Sequence, residues 1–466
     1  MLLPTGVFIS PTIIPGSSQQ PLIPQIPNWP ANLAADEAVK SQLSPDGNTL
    51  AIITAGYNNV TLTNGAGGLR AQFIFIYDVS GANKAAPKLT QTITQNNAFV
   101  GLVWSGNTTL YASGGLDDKV YVYTRAGAAP SMPFAAAGAI ALGHNRGVGV
   151  GVGANTGGLA ISADGKALVV ANNYNHSISV VDTASKAVVA DYDLRPYNTS
   201  GQNGVAGGEF PWAVVLKADG KAFISSVRDR EVVVVDVSTP ASPKFITRIA
   251  VAGNAYGMTL SADQSRLFVA QENSDQVAVI DTVSYAVVNT IDTRAPGRIL
   301  ADQNGNHYGW GSQNSGDGPH YTGAEPIAVT VSPDGKTLYA VNNGNNSIAV
   351  IPLTGKDANT VTALIPTAYA PKDITFSADG SQMYVINGLS DTGPNPGYRS
   401  QAPSILPNQY QFALEQASLV SAPVPTGHAL EDLTTQVAKN NLYSVQVPEN
   451  DTKVMNFLHD KIKHVI

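Results

Sequence analysis

The sequence predicts an all-β fold made of seven similar units. In each unit a short polar turn separates two short strands that are rich in small and β-branched residues. Asp-Gly and Asn-containing turns between such runs are strong hairpin signals, because Gly and Asn tolerate the positive φ angles that these turns need. The seven turns are Ser44–Gly47, Ser105–Asn107, Ser162–Gly165, Lys217–Gly220, Ser261–Gln264, Ser332–Gly335 and Ser377–Gly380.

The spacing of these turns identifies the architecture. Asp219 and Asp263 are 44 residues apart, and Asp334 and Asp379 are 45 residues apart. A unit of roughly 40–50 residues that holds several antiparallel strands is typical of a β-propeller. The sequence therefore predicts a seven-bladed β-propeller with four strands in each blade.

The two ends of the chain are expected to close the ring. The last unit supplies strands at 372–376, 383–386 and 419–424, and no fourth strand follows them. The N-terminal run Val7–Ile9 is the natural candidate for the missing outer strand. Pairing of this kind would leave no open sheet edge and would hold both termini.

Composition excludes several classes of function. The net charge of −7 argues against a nucleic-acid partner, which needs a basic face. No apolar run is long enough to span a membrane. The absence of cysteine excludes disulfides, thiol nucleophiles and thiolate metal sites. Motifs typical of metal, phosphate and serine-hydrolase sites are missing from the sequence too, so no cofactor or metal is expected.

The longest connections all fall at one end of the predicted propeller, opposite the seven polar turns. Long loops gathered on one end of a rigid scaffold usually carry the function, although loops also plug channels or cover edges. We call this end the insertion face. Its long connections are 56–69, 143–157, 195–210, 294–325 and 388–417.

Basic and aromatic residues on the insertion face are the candidate binding residues. Arginine and histidine at a channel mouth could hold a carboxylate or phosphate through charge-assisted hydrogen bonds. The predicted ligand is therefore a small anionic molecule or the end of a glycan. The candidates are His144, Arg146, Arg195, Trp212, Arg228, Arg230, His320 and Tyr321, with His144 and His320 as the candidate acid/base groups of an enzyme.

Structural roles for the same residues stay open at this point. Arg228 and Arg230 also have Asp229 and Glu231 beside them as ion-pair partners. His144 follows a glycine, which favours a role as a hydrogen-bonded loop anchor over one as a metal ligand. Trp212 follows a proline, where it could floor a pocket or pack between blades.

Several short motifs together resemble one bacterial protein group. These motifs are Leu3-Pro4-Thr5-Gly6, Gly143-His144, Asp193-Leu194-Arg195-Pro196, Gly207-Gly208-Glu209-Phe210-Pro211, Arg228-Asp229-Arg230-Glu231 and Thr392-Gly393-Pro394-Asn395-Pro396. The chain is similar to the N-terminal YVTN-type propeller of bifunctional proteins that carry an alkaline-phosphatase-type phosphoesterase domain after it. The resemblance implies an exported protein, secreted or periplasmic, although the chain shows no signal peptide.

The resemblance also implies a domain boundary near the C-terminus. Residues 1–427 are expected to form the propeller, and residues 428–466 a helix and the truncated start of the phosphoesterase domain. Leu430, Leu433 and Val437 share one helical face, which predicts the helix. The final residues 461–466 are similar to the opening strand of that domain. No residue of its catalytic centre is present, so phosphatase activity is not expected.

Three hypotheses for the function follow. In the first, the chain is a non-catalytic binding and scaffold module that holds a ligand, a glycan, a protein partner or the missing phosphoesterase domain. In the second, it is an enzyme with its site in the axial funnel, similar to seven-bladed lactonases and propeller lyases. In the third, it is a structural repeat protein like those of surface layers. The first is preferred.

Overall fold

The computed structural model of the protein contains seven four-stranded antiparallel sheets. This confirms the predicted seven-bladed β-propeller. The structure describes residues 1–3, 5–27, 29, 31, 33–56, 59–60, 69–70, 72–144, 155–197, 201–202, 204–299, 320–389, 416–443, 453, 456–458 and 461–462.

The strands follow one another in the order that a propeller requires. Blades 1 to 6 are β2-β3-β6-β7, β8 to β11, β12 to β15, β16 to β19, β20 to β23 and β26 to β29, from the axis outward. Blade 7 is β30-β31-β32-β1, and the hairpins β4-β5 and β24-β25 lie in connections. The strands are β1 (Ser18–Pro21), β2 (Ala38–Leu43), β3 (Thr49–Thr54), β4 (Asn59–Val60), β5 (Leu69–Arg70), β6 (Phe73–Asp78), β7 (Lys88–Thr94), β8 (Leu102–Ser105), β9 (Thr109–Ser113), β10 (Lys119–Thr124), β11 (Ala135–Ala141), β12 (Thr156–Ile161), β13 (Ala167–Asn172), β14 (Ser177–Asp182), β15 (Ala187–Asp193), β16 (Pro211–Leu216), β17 (Lys221–Ser226), β18 (Glu231–Asp236), β19 (Lys244–Ala250), β20 (Ala255–Leu260), β21 (Arg266–Gln271), β22 (Gln276–Asp281), β23 (Val287–Asp292), β24 (Ala295–Pro296), β25 (His320–Tyr321), β26 (Pro326–Val331), β27 (Thr337–Asn342), β28 (Ser347–Pro352), β29 (Ala363–Pro366), β30 (Pro371–Phe376), β31 (Gln382–Asn387) and β32 (Ser418–Pro423).

The middle strands of each blade carry most of the core. Every residue of β3, β13 and β31 is buried, because neighbouring blades cover both faces of a middle strand. The outermost strands β15 and β23 are largely exposed. This gradient explains why the middle strands are nearly continuous apolar runs, whereas the outer strands mix polar and apolar residues.

One helix covers the outer edge of blade 6. The helix α1 (His428–Asn440) buries Leu433 and Val437 next to the short strand β29. The Thr434 hydroxyl oxygen accepts the backbone N–H of Leu364 at 2.9 Å, so the helix also satisfies a donor of the sheet edge. The predicted C-terminal helix is therefore present. Short 3-10 helices lie at Gly81–Lys84, Asn173–Asn175, Glu272–Ser274 and Gly297–Ile299.

The strand that closes the ring is not the predicted one. β1 pairs antiparallel with β32, from Ser18 opposite Ser421 to Pro21 opposite Ser418. The predicted closing run Val7–Ile9 instead lies outside the sheet, where the N–H of Phe8 donates to the carbonyl of Asn440 at 2.8 Å. An outermost strand binds mainly through its backbone, so the polar sequence Ser-Gln-Gln-Pro can serve where an apolar run was expected.

The strand ends that the long connections join lie at the insertion face, as strand order predicts. These connections join outermost to innermost strands of successive blades, or second to third strands within blades 1 and 7. Among the described residues, no helix is long and apolar enough to cross a bilayer.

Candidate functional site

A cavity of about 540 Å³ lies on the propeller axis. Its described wall comes from the innermost strands of all seven blades and from turns of the insertion face. The inner strands begin at the insertion face, so their first residues form the mouth of the cavity. Aliphatic residues further along them, such as Ile161, Leu216 and Met258, line the deeper part.

One position of the repeat supplies much of the mouth. It lies seven residues before the Asp or Asn of each polar turn, and we call its seven members the axial ring. The axial ring is Val39, Val100, Gly157, Trp212, Tyr256, Ile327 and Lys372. All but Gly157 line the cavity. A register shift occurs at this position in six of the inner strands, namely β2, β12, β16, β20, β26 and β30. Such bulges change the direction of side chains and are common next to functional sites.

The next position of the repeat sets how closely the blades approach one another. It is Gly or Ala in blades 2 to 6, because the backbone of the next inner strand comes very near. A Cβ atom at Gly158 would lie 2.4 Å from the carbonyl oxygen of Trp212, and one at Gly257 would lie 2.7 Å from that of Ile327. The glycine at 158 therefore allows the backbone of Trp212 to approach this closely.

Three aromatic rings form one wall of the cavity. The ring centroids of Phe99 and Trp212 are 5.0 Å apart, and those of Trp212 and Tyr256 are 5.1 Å apart. Both pairs meet edge to face, at 73° and 74°, which is a favoured arrangement. All three side chains are half-buried. We call them the aromatic arc.

Two ion pairs form the facing wall, where blade 7 meets blade 1. Lys40 Nζ lies 3.1 Å from Asp373 Oδ2, and Lys372 Nζ lies 3.7 Å from Glu37 Oε1. Asp373 is buried and also accepts hydrogen bonds from the N–H and hydroxyl of Ser41, at 3.0 and 3.2 Å. Each blade contributes one lysine and one carboxylate, so the pairs join the two ends of the ring.

Of the candidates predicted from the sequence, Trp212 lies in the cavity wall. His144 does not: it follows the outermost strand of blade 2 and reaches Asp118 of its own blade and Asp191 of the outermost strand of blade 3. Its Nδ1 is 2.8 Å from Asp118, and its Nε2 is 3.5 Å from Asp191. The prediction that His144 lines the funnel wall is therefore wrong, because the strand that it follows is the outermost strand of its blade.

The described candidate arginines of the insertion face, Arg195, Arg228 and Arg230, also lie away from the described cavity wall. Arg195 follows the outermost strand of blade 3 and holds both carboxylate oxygens of Asp193. Arg228 lies between the middle strands of blade 4, 2.7 Å from Glu209. Arg230 is exposed in the same turn. The expected partner Glu231 instead pairs with Arg248, at 2.6 Å.

The remaining candidates belong to the long connections. The backbone of His320 and Tyr321 forms β25, which pairs with β24 in the connection between blades 5 and 6. Arg146 lies outside the described residues.

The environment of His144 predicts a pH dependence of stability. The contacts with Asp118 and then Asp191 outweigh burial and raise the pKa of His144 to about 9. A raised folded-state pKa stabilises the fold below the ordinary pKa of histidine, and this contribution disappears as the pH rises through 9. Between about pH 6.5 and 9, we expect the free energy of unfolding of wild type to fall by on the order of 2–3 kcal/mol more than that of His144→Gln. Urea unfolding across this range checks it, and parallel curves for the two proteins would contradict it.

Family profiles match two parts of the chain. The family described as "Cytochrome D1 heme domain" matches residues 142–318, and "Lactonase, 7-bladed beta-propeller" matches residues 311–393. A seven-bladed β-propeller protein of Mycobacterium tuberculosis is 30% identical over 148 residues, which cover 30% of this chain and about a third (34%) of that relative. The described cavity wall contains no histidine, the usual proximal ligand of haem iron, so it does not fit a haem held in that way.

Solved structures share the fold at low sequence identity. The structure of a streptogramin B lyase has a TM-score of 0.51 and 13% identity, covering 86% of this chain and 97% of the other. An inactive virginiamycin B lyase of Staphylococcus aureus with quinupristin has a TM-score of 0.50, 13% identity and coverages of 86% and 99%. A candidate 6-phosphogluconolactonase of Bacteroides uniformis has a TM-score of 0.51, 12% identity and coverages of 72% and 86%. The chain is thus a seven-bladed β-propeller, similar in fold to lactonase-type and lyase propellers.

Proposed function

We propose that this chain is a non-catalytic binding module that holds part of a small organic molecule, such as the end of a glycan, in its central cavity. The observation that carries the proposal is the aromatic arc, which faces two ion pairs across an axial cavity of about 540 Å³. Concave sites that combine aromatic side chains with a few placed polar groups are typical of ligand pockets. A ring-shaped ligand would lie against the aromatic arc and direct its polar groups toward the charged wall.

The polar groups of the cavity support binding more than catalysis. Lys40 and Asp373 hold each other across the blade junction, and the same Oδ2 oxygen of Asp373 accepts two hydrogen bonds from Ser41. The predicted acid/base residue His144 lies at the rim between two carboxylates. We further propose, from the sequence motifs, that the module serves as the scaffold half of an exported phosphoesterase-type protein.

Substitution of Trp212 tests the binding proposal. We expect at least one of four probes (glucose, N-acetylglucosamine, glucosamine and glucuronate) to bind wild type by saturation-transfer NMR, and Trp212→Ala to weaken that binding about tenfold or more, because stacking on this ring is lost. Arg228→Ala is the matched control, since Arg228 lies on the same face but outside the described cavity wall. Equal binding by wild type and Trp212→Ala, or loss of binding in Arg228→Ala alone, would overturn the proposal.

An enzyme of the lactonase or lyase type is the second candidate. It is favoured by the lactonase-family match and by the shared fold of the lyases. Within the described cavity wall, the groups able to transfer protons near the aromatic arc are Tyr256 and Glu272. Assays for lactone hydrolysis and for opening of a cyclic depsipeptide test this candidate. Turnover that Glu272→Gln abolishes would replace the binding proposal.

A further inference from the structure

We propose that the ligand of the central cavity carries a positively charged nitrogen, seated between the aromatic arc and Glu272. This inference rests on the proposed function and adds the charge of the ligand to it. It differs from the anionic ligand that the arginine-rich insertion face predicts, and three features of the described wall support it.

The first feature is the balance of charge in the wall. Its described lysines, Lys40 and Lys372, both face a carboxylate across the blade junction. Glu272 is the remaining carboxylate of the wall. Its Oε2 accepts an amide N–H from Asn254 at 3.3 Å, and among the described residues no lysine, arginine or histidine forms an ion pair with it. Glu272 therefore leaves one net negative charge in the cavity.

The second feature is the negative potential behind Glu272. Asp275 accepts the backbone N–H groups of Gly323 and Glu325, each at 2.9 Å. Burial and then the charges of Glu272 and Asp275 raise the pKa of Glu325, although Lys372 opposes the shift. Three carboxyl groups thus influence one another at the junction of blades 5 and 6. A cation entering the mouth would be attracted to this sector, because low-dielectric walls focus the field.

The third feature is that the aromatic arc ends beside the same carboxylate. Tyr256 lies in the inner strand of blade 5, and Glu272 lies in a turn of that blade. Ala255 pairs with Gln271, and the backbone N–H of Glu272 donates to the carbonyl of Asn254 at 3.2 Å, which brings Tyr256 and Glu272 near each other in the cavity wall. Burial and then the charge of Glu272 raise the pKa of the Tyr256 phenol accordingly. The faces of Trp and Tyr rings attract cations, and an aromatic wall with an adjacent anion is a common site for ammonium groups.

An anion meets unfavourable contacts in the same place. It could pair with Lys40 or Lys372 only by displacing Asp373 or Glu37, and beside Glu272 it would meet a carboxylate that has no ion-pair partner among the described residues. Juxtaposed like charges are a strong means of excluding the wrong partner. The described wall therefore selects a cation over an anion.

Three sugars with the same ring size test the charge of the ligand. Glucosamine, glucose and glucuronate present a cation, a neutral hydroxyl-rich ring and an anion, and at about pH 6 the amine is protonated. We expect wild type to bind glucosamine about tenfold more tightly than glucose, and glucuronate most weakly, by saturation-transfer NMR. In Glu272→Gln, the affinity for glucosamine should fall to within about twofold of the affinity for glucose. The control Asp432→Asn removes an exposed carboxylate of α1 and should keep the preference.

The outcomes distinguish a failure of this inference from a failure of the proposed function. Equal binding of the three sugars, or a preference for glucuronate, would overturn the inference and leave the binding module standing. A glucosamine preference that survives in Glu272→Gln would place the cation elsewhere and would also overturn it. Should no sugar bind wild type, both proposals fail. Thermal midpoints of both variants are measured alongside, so that a folding defect is not taken for lost recognition.

Discussion

Deletion of residues 1–21 is expected to lower the free energy of unfolding by about 5 kcal/mol or more. The deletion removes β1, whose four residues pair with β32 and cover the outer edge of blade 7. It also removes the buried side chains of Leu3, Ile9 and Ile14, and burial of such a side chain contributes roughly 1.5–3 kcal/mol. Loss of the sheet partner adds to this, because β32 is left with unpaired backbone groups. Urea unfolding of the shortened and full chains measures the difference.

A synthetic peptide of residues 1–23 provides the control for this deletion. Added in trans, it should restore most of the lost stability, because it supplies the same strand and the same buried side chains. An unchanged unfolding midpoint after the deletion would contradict the account of ring closure. A lowered midpoint that the peptide does not raise would mean that the deletion harms the fold by another route.

The second large effect is expected at the ion pairs of the blade 7–blade 1 junction. Asp373→Ala should lower the free energy of unfolding by about 3 kcal/mol. Hydrogen bonds to a buried charge contribute roughly 1.5–3 kcal/mol each, and Ser41 loses the acceptor of both of its bonds to Asp373. Lys40→Met should cost less, since Asp373 keeps both bonds from Ser41. The double substitution should cost clearly less than the sum of the two, because the residues act as a pair.

An exposed ion pair serves as the comparison for this junction. Lys166 and Asp164 lie 3.5 Å apart with 79% and 58% of their side chains exposed. Lys166→Met should change the free energy of unfolding by less than about 1 kcal/mol. If the substitutions at Lys40 and Asp373 behave like this surface pair and add without coupling, the junction is not held by its ion pairs.

The fold was predictable because its signals are local and repeated. Every polar turn, from Ser44–Gly47 to Ser377–Gly380, carries the residues that a tight turn needs, and the constant spacing leaves few alternatives to a propeller. The closing strand was not predictable in the same way. Ser18–Pro21 has no apolar pattern, and what selects it is the exposed backbone of β32 far away in the sequence.

The candidate site was predictable only in part, because sequence marks the end of a strand but not its distance from the axis. His144 and Arg195 follow outermost strands and therefore lie at the rim, although they share a face with the cavity mouth. Trp212 and Tyr256 could be located from the sequence, because each lies seven residues before the Asp of its polar turn, which is the position of the axial ring. Phe99 does not: it precedes the axial position of its blade, so only the structure brings it into the aromatic arc.

The NMR signals of the tryptophan indole N–H groups test the central claim most directly. The chain has four tryptophans, and single Trp→Phe substitutions assign their signals. Trp29 and Trp104 donate to the carbonyls of Leu33 and Gln42, at 2.7 and 3.1 Å, and lie outside the described cavity wall. Titration with glucosamine should shift the Trp212 signal in a saturable way and leave those of Trp29 and Trp104 in place. A saturable shift of either of the latter with Trp212 unmoved would contradict binding in the central cavity.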